Sequence, residues 1–357
     1  MEIDLSQYLT KTEGIETTEC FVPYPETLRS KLVSDNYNIA IIGVESESDE
    51  FNIGAKDAPN TIRKHLYELS GTFERISIAD LGNLKLGRSK EDVYFALKDV
   101  VGYLLHRHVV PIVIGGTQEL TVAMNDALEE YCKHKRICIV DSKIDLKESV
   151  RTVTANNFIS RLFNNTLSSL SVLGYQNYYC SKWQLEEMGR HEAVCVRLRD
   201  MTNAMIDIEP FLRDCELFSF DMSSVRQSDS KGHALCIPNG LNGVQACQIA
   251  QYAGLSDSMM VYGLFGYNPI FDDSGASAAL SAQIIWHILY GIDNRYEDYP
   301  LKTLNSYENY AVRMDGDGER IDFYYNKLNG RWWILIPSAD GSEHVYACSL
   351  SDYKAFC

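Results

Sequence analysis

Residues 137–145, Ile-Cys-Ile-Val-Asp-Ser-Lys-Ile-Asp, run as an apolar strand into Asp141, with Asp145 four residues on and Lys143 midway between them. Two more segments share this layout. Pro111-Ile-Val-Ile-Gly-Gly-Thr-Gln-Glu119 and Leu217-Phe-Ser-Phe-Asp-Met-Ser223 each deliver polar residues from the end of an apolar run. Ligands of open α/β sheets gather at the C-terminal ends of strands. Asp141, Asp145, Asp221 and the amide oxygen of Gln118 would make an all-oxygen set suited to Mg2+, Ca2+ or Mn2+. Lys143 works against that use, because an ammonium has three donors and no acceptor and cannot ligate a metal. Two unit charges 4 Å apart interact by about 4 kcal/mol at an effective dielectric near 20, so clustered carboxylates need a cation to offset them. The expectation is that the Lys143 ammonium lies within hydrogen-bonding reach of Asp141, Asp145 or Asp221 and supplies part of that charge.

Alternating strands and helices must position these residues. Asn38–Val44 reads as a buried strand, and Gly54-Ala-Lys-Asp-Ala-Pro59 opens a helix with Asp57 as N-cap and Pro59 in the first turn. A helix over 89–108 precedes a strand over 109–114, and a helix over 119–131 follows it. Further strands are expected at 136–141, 169–173, 193–197, 216–221 and 258–265, with helices at 154–164, 182–188, 241–253 and 275–291. Such alternation predicts right-handed βαβ units and a mostly parallel sheet covered on both faces.

The pattern changes after about residue 300. Tyr307–Met314, Arg320–Lys327, Arg331–Ile336 and Val345–Cys348 read as strands, with Asn329-Gly330 as a two-residue type I′ turn. Asp315-Gly-Asp-Gly318 and Asp340-Gly341 mark the other turns. This is a small antiparallel extension, residues 301–357, on an α/β body of residues 1–300. Trp332 and Trp333 must face opposite sides of their strand, so that one could pack inward while the other lies on the surface, and two ordinary packing tryptophans are expected over a ligand platform. Four short strands bury little by themselves, so the sheet should pack on the body or on a neighbouring subunit.

Together the three strand ends resemble the metal-binding motifs of the ureohydrolase superfamily, the arginase, agmatinase and formimidoylglutamase family. Gly54-Ala-x-x-Ala-Pro-x-x-Ile-Arg63 resembles its N-terminal helix motif. Gly240-Leu-x-Gly-Val-Gln-Ala-Cys-Gln-Ile-Ala250 and Tyr267-Asn-Pro269 with Asp272 resemble its late motifs. The resemblance spans roughly residues 38–291 and implies a three-layer α/β/α ureohydrolase fold. In working members two Mn2+ ions share a bridging hydroxide that attacks an amidine or guanidine carbon. Carried over residue by residue, the first metal-binding histidine falls at Gln118 and the aspartate before it at Thr117. Asp141, Asp145 and Asp221 match metal-binding aspartates. The histidine between the first two is Lys143, the aspartate two residues after the third is Ser223, and the glutamate that faces the substrate is Gly266.

Half of the metal ligands are therefore replaced. The resemblance then implies a degenerate site, a pseudoenzyme without arginase-type catalysis that serves as a binding or scaffold protein, with no metal cofactor. The alternative is a metal-dependent hydrolase of linear amidine C–N bonds, formimidoylglutamase-like, holding one weakly bound Mn or Mg. On paper, Thr117→Asp, Gln118→His, Lys143→His and Ser223→Asp, with Gly266→Glu for the substrate, would restore the family set.

Composition narrows the partners. A net charge of −16 over 357 residues argues against a nucleic-acid partner, which needs a basic face. The N-terminus has no apolar signal-peptide core, and Ile284–Tyr290 is too short to span a bilayer, so no membrane partner and a cytoplasmic location are expected. The ten cysteines include no C-x-x-C pair and read as buried thiols. A homo-oligomer is compatible with the resemblance.

Overall fold

Hydrophobic runs of five to nine residues with few polar interruptions become the central strands, because both of their faces are covered. A computed structural model describes residues 3–12, 26–47, 52–132, 135–163, 167–235, 237–298, 306–313, 320–337 and 343–357. Its main sheet contains β1 (Leu9–Thr10), β2 (Ile39–Val44), β3 (Ile78–Leu84), β4 (Val110–Gly115), β5 (Lys135–Val140), β6 (Leu167–Tyr175), β7 (Val194–Arg197), β8 (Leu217–Asp221) and β9 (Val261–Phe265). The spatial order is β1-β3-β2-β4-β9-β8-β5-β6-β7. The β1–β3 pair is antiparallel and the other pairs are parallel.

Apolar residues fill both faces. On one, Ile62, Leu66, Ile249, Ala250, Ile284 and Ile288 come from the helices Ala58–Leu66, Gly243–Gly254 and Ala276–Asp293. On the other, Leu97, Val101, Leu104, Met124, Leu128 and Phe158 come from Lys90–His106, Leu120–Leu128 and Phe158–Leu162. The three-layer α/β/α fold is the one expected. β3 was not anticipated: Ile-Ala-Asp-Leu-Gly-Asn-Leu mixes polar residues into the strand because Asp80 and Asn83 bind the buried Arg63. Asp57 occupies the N-cap position of its helix, but its side chain makes no capping bond, while Pro59 does sit in the first turn. Among the described residues, no helix is long and apolar enough to cross a membrane.

The second sheet is antiparallel, in the order β10 (Glu308–Arg313), β11 (Arg320–Tyr325), β12 (Trp332–Pro337), β13 (Glu343–Cys348). Its β11–β12 turn differs from the expected two-residue form. Asn326 N–H donates to the Arg331 carbonyl (2.9 Å), leaving four residues in the loop, and only Gly330 of these has positive φ (+75°). A type I′ turn needs positive φ at both central residues. Asn329 instead donates its side-chain amide to Asp298 of the body (2.5 Å). The Asp315–Gly318 and Asp340–Gly341 turns, and the boundary at residue 300, lie outside the described residues.

Trp332 and Trp333 do face opposite sides, but both are buried. Trp333 lies against the body, under the Arg213 guanidinium at 4.6 Å. Trp332 stacks on Tyr353 at 4.7 Å, because a helix not foreseen from the sequence, Leu350–Phe356, covers the outer face. The sheet is tied down by buried charge. Arg331 pairs with Asp298 (2.7 Å) and Glu209 (3.2 Å), and Arg213 pairs with Glu209 and donates to the Trp332 carbonyl (2.7 Å).

Candidate functional site

The strand order explains how distant segments converge. β4, β9, β8 and β5 lie side by side, so Gly115, Phe265, Asp221 and Val140 end at one edge. A cavity of about 60 Å3 opens there, room for a few waters or one small polar group. Thr117, Gln118, Asp141, Lys143, Asp145, Asp221, Ser223 and Gly266 all line it. The structure thus brings every candidate residue together.

Their contacts differ from the expectation at Lys143. Its backbone N–H donates to Asp141 Oδ1 (3.0 Å), so the chain wraps around that carboxylate. The wrap carries the side chain outward, and the ammonium lies over the Tyr179 ring at 6.0 Å. Among the described residues it makes no ion pair with Asp141, Asp145 or Asp221. Its charge still favours the ionised forms of Asp141 and Asp145, but as the smallest of several influences.

Other groups do the balancing. Ser223, in place of a carboxylate, donates its hydroxyl to Asp141 Oδ1 (3.2 Å) and its N–H to Asp221 Oδ1 (2.7 Å). His233, which the sequence reading did not single out, places Nε2 3.6 Å from Asp221 Oδ1. Its Nδ1 accepts from Leu235 N–H (2.9 Å), so the proton sits on Nε2 and points at the carboxylate. The loop carrying His233 is pinned at its neighbour: Gly232 N–H donates to Ser277 Oγ and Gly232 carbonyl accepts from Asn268 N–H, both at 2.8 Å. A lone histidine on a glycine-containing loop that crosses the C-terminal sheet edge was the available signal.

Protonation separates the three acids. Burial, then the Asp221 charge, pushes the Asp141 carboxyl up to about 6. Burial, then the charge and hydrogen bond of Asp141, holds Asp145 well above the ordinary range. Burial also acts on Asp221, but the Nε2–H of His233, with the Ser223 donors, outweighs it and leaves that carboxyl lowered. The native state therefore holds protons on the Asp141–Asp145 pair that the unfolded chain releases near pH 4. The stabilising proton uptake is fully present below about pH 4, and the Asp141 share of it is lost as pH rises through about 6. Asp145→Asn should then stabilise the protein at pH 8 and flatten the stability slope between pH 4 and 6. Urea midpoints across pH check this, and an unchanged slope would refute it.

Gly266, at the exit of β9, has φ +82°, and an added Cβ would lie 2.5 Å from Asp221 Oδ1. Asn52 closes over it, donating to the Gly266 carbonyl (3.3 Å) and accepting from Asn268 Nδ2 (2.8 Å).

These residues do not fit a two-manganese centre. Gln118 and Lys143 offer no nitrogen lone pair, and the single imidazole has one nitrogen occupied by Leu235 and a proton on the other. Asp141 Oδ1 and Asp221 Oδ1 are taken up by donors of the chain. Among the described residues, no group of three or more His, Cys, Asp or Glu is placed to hold a metal ion. One oxygen does stand ready: Gln118 Oε1 is buried without a partner, as is Thr117 Oγ1, while Gln118 Nε2 donates to Ser219 Oγ (3.1 Å).

Comparison with known proteins places this geometry. A formimidoylglutamase of Lysinibacillus sphaericus is 25% identical over 276 residues, which span 72% of this chain and 85% of that protein. The structure of Trypanosoma cruzi formiminoglutamase with Mn2+ superposes with a TM-score of 0.71 at 20% identity, covering 75% of this chain and 99% of that one. Formimidoylglutamase from Bacillus subtilis gives 0.70 at 17% identity, covering 82% and 98%. The sequence pattern of the arginase family matches residues 37–291. The chain belongs to the arginase family, within the ureohydrolase superfamily.

Proposed function

We propose that the acidic pocket recognises a small planar cation, an amidinium or guanidinium group, and does so without two-manganese hydrolysis. The observation that carries this reading is the donor–acceptor balance of the pocket. Ionised Asp221, the proton-sharing Asp141–Asp145 pair and the unpartnered oxygens of Gln118 and Thr117 offer acceptors to N–H groups. The nitrogen ligands that two manganese ions need are missing. A cavity of about 60 Å3 admits the charged head of such a ligand and leaves its remainder toward the opening.

A second reading has the comparisons on its side. The relatives described above are formimidoylglutamases, and the family match covers most of the chain. They support hydrolysis of a linear amidine C–N bond, with a formimidoylglutamate-like compound as substrate, more than they support a loss of activity. In that case Asp141, Asp145, Asp221 and Gln118 Oε1 are the residues that would hold a single hard cation, which would polarise bound water. The chain's own part would be to orient the amidinium against Asp221, with His233 fixing that carboxylate.

Both readings share the ligand class and part at turnover. Calorimetric titration with formamidinium, guanidinium and formimidoylglutamate tests the first. Binding should weaken at least about tenfold in Asp221→Asn. Affinity unchanged by that substitution, or no binding of any of the three, would remove the proposal.

A further inference from the structure

A second cavity, of about 560 Å3, lies behind the turn at residues 117–119 and shares no lining residue with the acidic pocket. Gly116 makes the tight passage between them possible, since an added Cβ would come within 1.6 Å of the Ser46 carbonyl oxygen. Consecutive residues then serve different spaces. Gln118 lines the acidic pocket, and Glu119 lines the larger one. The volume is that of a small-molecule site.

Two buried polar atoms on its wall, Glu119 Oε2 and Ser46 Oγ, have no hydrogen-bond partner among the described residues. Buried polar groups are normally satisfied, so a pair of exceptions in one cavity marks where a ligand's donor would sit. Two other acids here are engaged, Asp126 with Tyr94 and Arg161, and Glu129 with Lys135. Lys98 and Arg151 line the same cavity and, among the described residues, make neither an ion pair nor a hydrogen bond. Val93, Leu120 and Val122 supply apolar wall.

We propose that this cavity is a binding site for a free α-amino acid, with its ammonium on Glu119 and Ser46, its carboxylate on Lys98 and Arg151, and its side chain on the apolar wall. The site is distinct from the acidic pocket and independent of what that pocket does. The test is a thermal-shift screen of the standard free L-amino acids at about 10 mM, followed by calorimetry. At least one should raise Tm by roughly 2 °C or more. Its N-acetyl and methyl ester derivatives should each bind at least about tenfold more weakly. Glu119→Gln and the surface double variant Lys98→Ala/Arg151→Ala should weaken binding to the same extent, while Asp221→Asn should leave it unchanged. No shift with any amino acid would overturn the proposal. So would binding that survives both of the first two variants, or binding lost in Asp221→Asn.

Discussion

Gly266→Glu, the substitution that would restore the family's substrate-facing carboxylate, is expected to cost about 3–5 kcal/mol of stability. A non-glycine residue at φ +82° is strained by about 1–3 kcal/mol. The new Cβ would also lie 2.5 and 2.6 Å from the two oxygens of Asp221. That carboxylate cannot move aside easily, because Ser223 N–H and His233 hold it. The added carboxylate would then sit beside an ionised one in a buried setting. Gly266→Ala separates the backbone and contact cost from the charge and should retain most of the loss. Urea unfolding of both variants decides the matter, and a wild-type midpoint for Gly266→Glu would contradict the backbone described at the end of β9. Restoring the family residues at 117, 118, 143 and 223 therefore has to leave residue 266 alone.

Arg331→Met should be as damaging for a different reason. Arg331 bridges Asp298 and Glu209, with all three side chains largely buried, and donates to the Leu255 carbonyl (3.0 Å). Removing it leaves Asp298 buried without a cation, while Glu209 keeps Arg213, and breaking a buried pair typically costs about 3–5 kcal/mol. Because Arg331 belongs to the tail and its partners to the body, the loss should free the antiparallel sheet. Trp332 and Trp333 fluorescence should then shift toward that of exposed indole before the main transition. A loss under about 1 kcal/mol, or one cooperative transition with unshifted fluorescence, would show that the tail is held by its apolar contacts alone.

Most of the fold was legible because apolar runs and turn residues report burial directly. The parallel strands, the long helices and the placement of Asp141, Asp145 and Asp221 at strand ends follow from periodicity and from the family motifs. Contacts between distant residues were less legible. β3 was hidden by Asp80 and Asn83, which are polar because they satisfy Arg63 from another element. The outer cover of Trp332 was hidden because a seven-residue helix at the chain's end carries little signal. At the site, residue types and spacing named residues that line one cavity but misjudged Lys143. Spacing along the chain places its backbone near Asp141, yet it says nothing about which way the side chain leaves. The carboxylates it was expected to offset face instead the Nε2–H of His233, twelve residues after Asp221, and share a proton on the Asp141–Asp145 pair.

The central claim is that this arginase-family site does not assemble two manganese ions for hydrolysis. It is tested most directly by measuring metal content and formamide release together, on protein purified with Mn2+ and supplied with formimidoylglutamate. The account predicts fewer than two manganese ions per chain and no formamide above the rate of the Asp141→Asn variant. Two ions per chain with formamide release that Asp141→Asn abolishes would contradict it and establish the hydrolase reading.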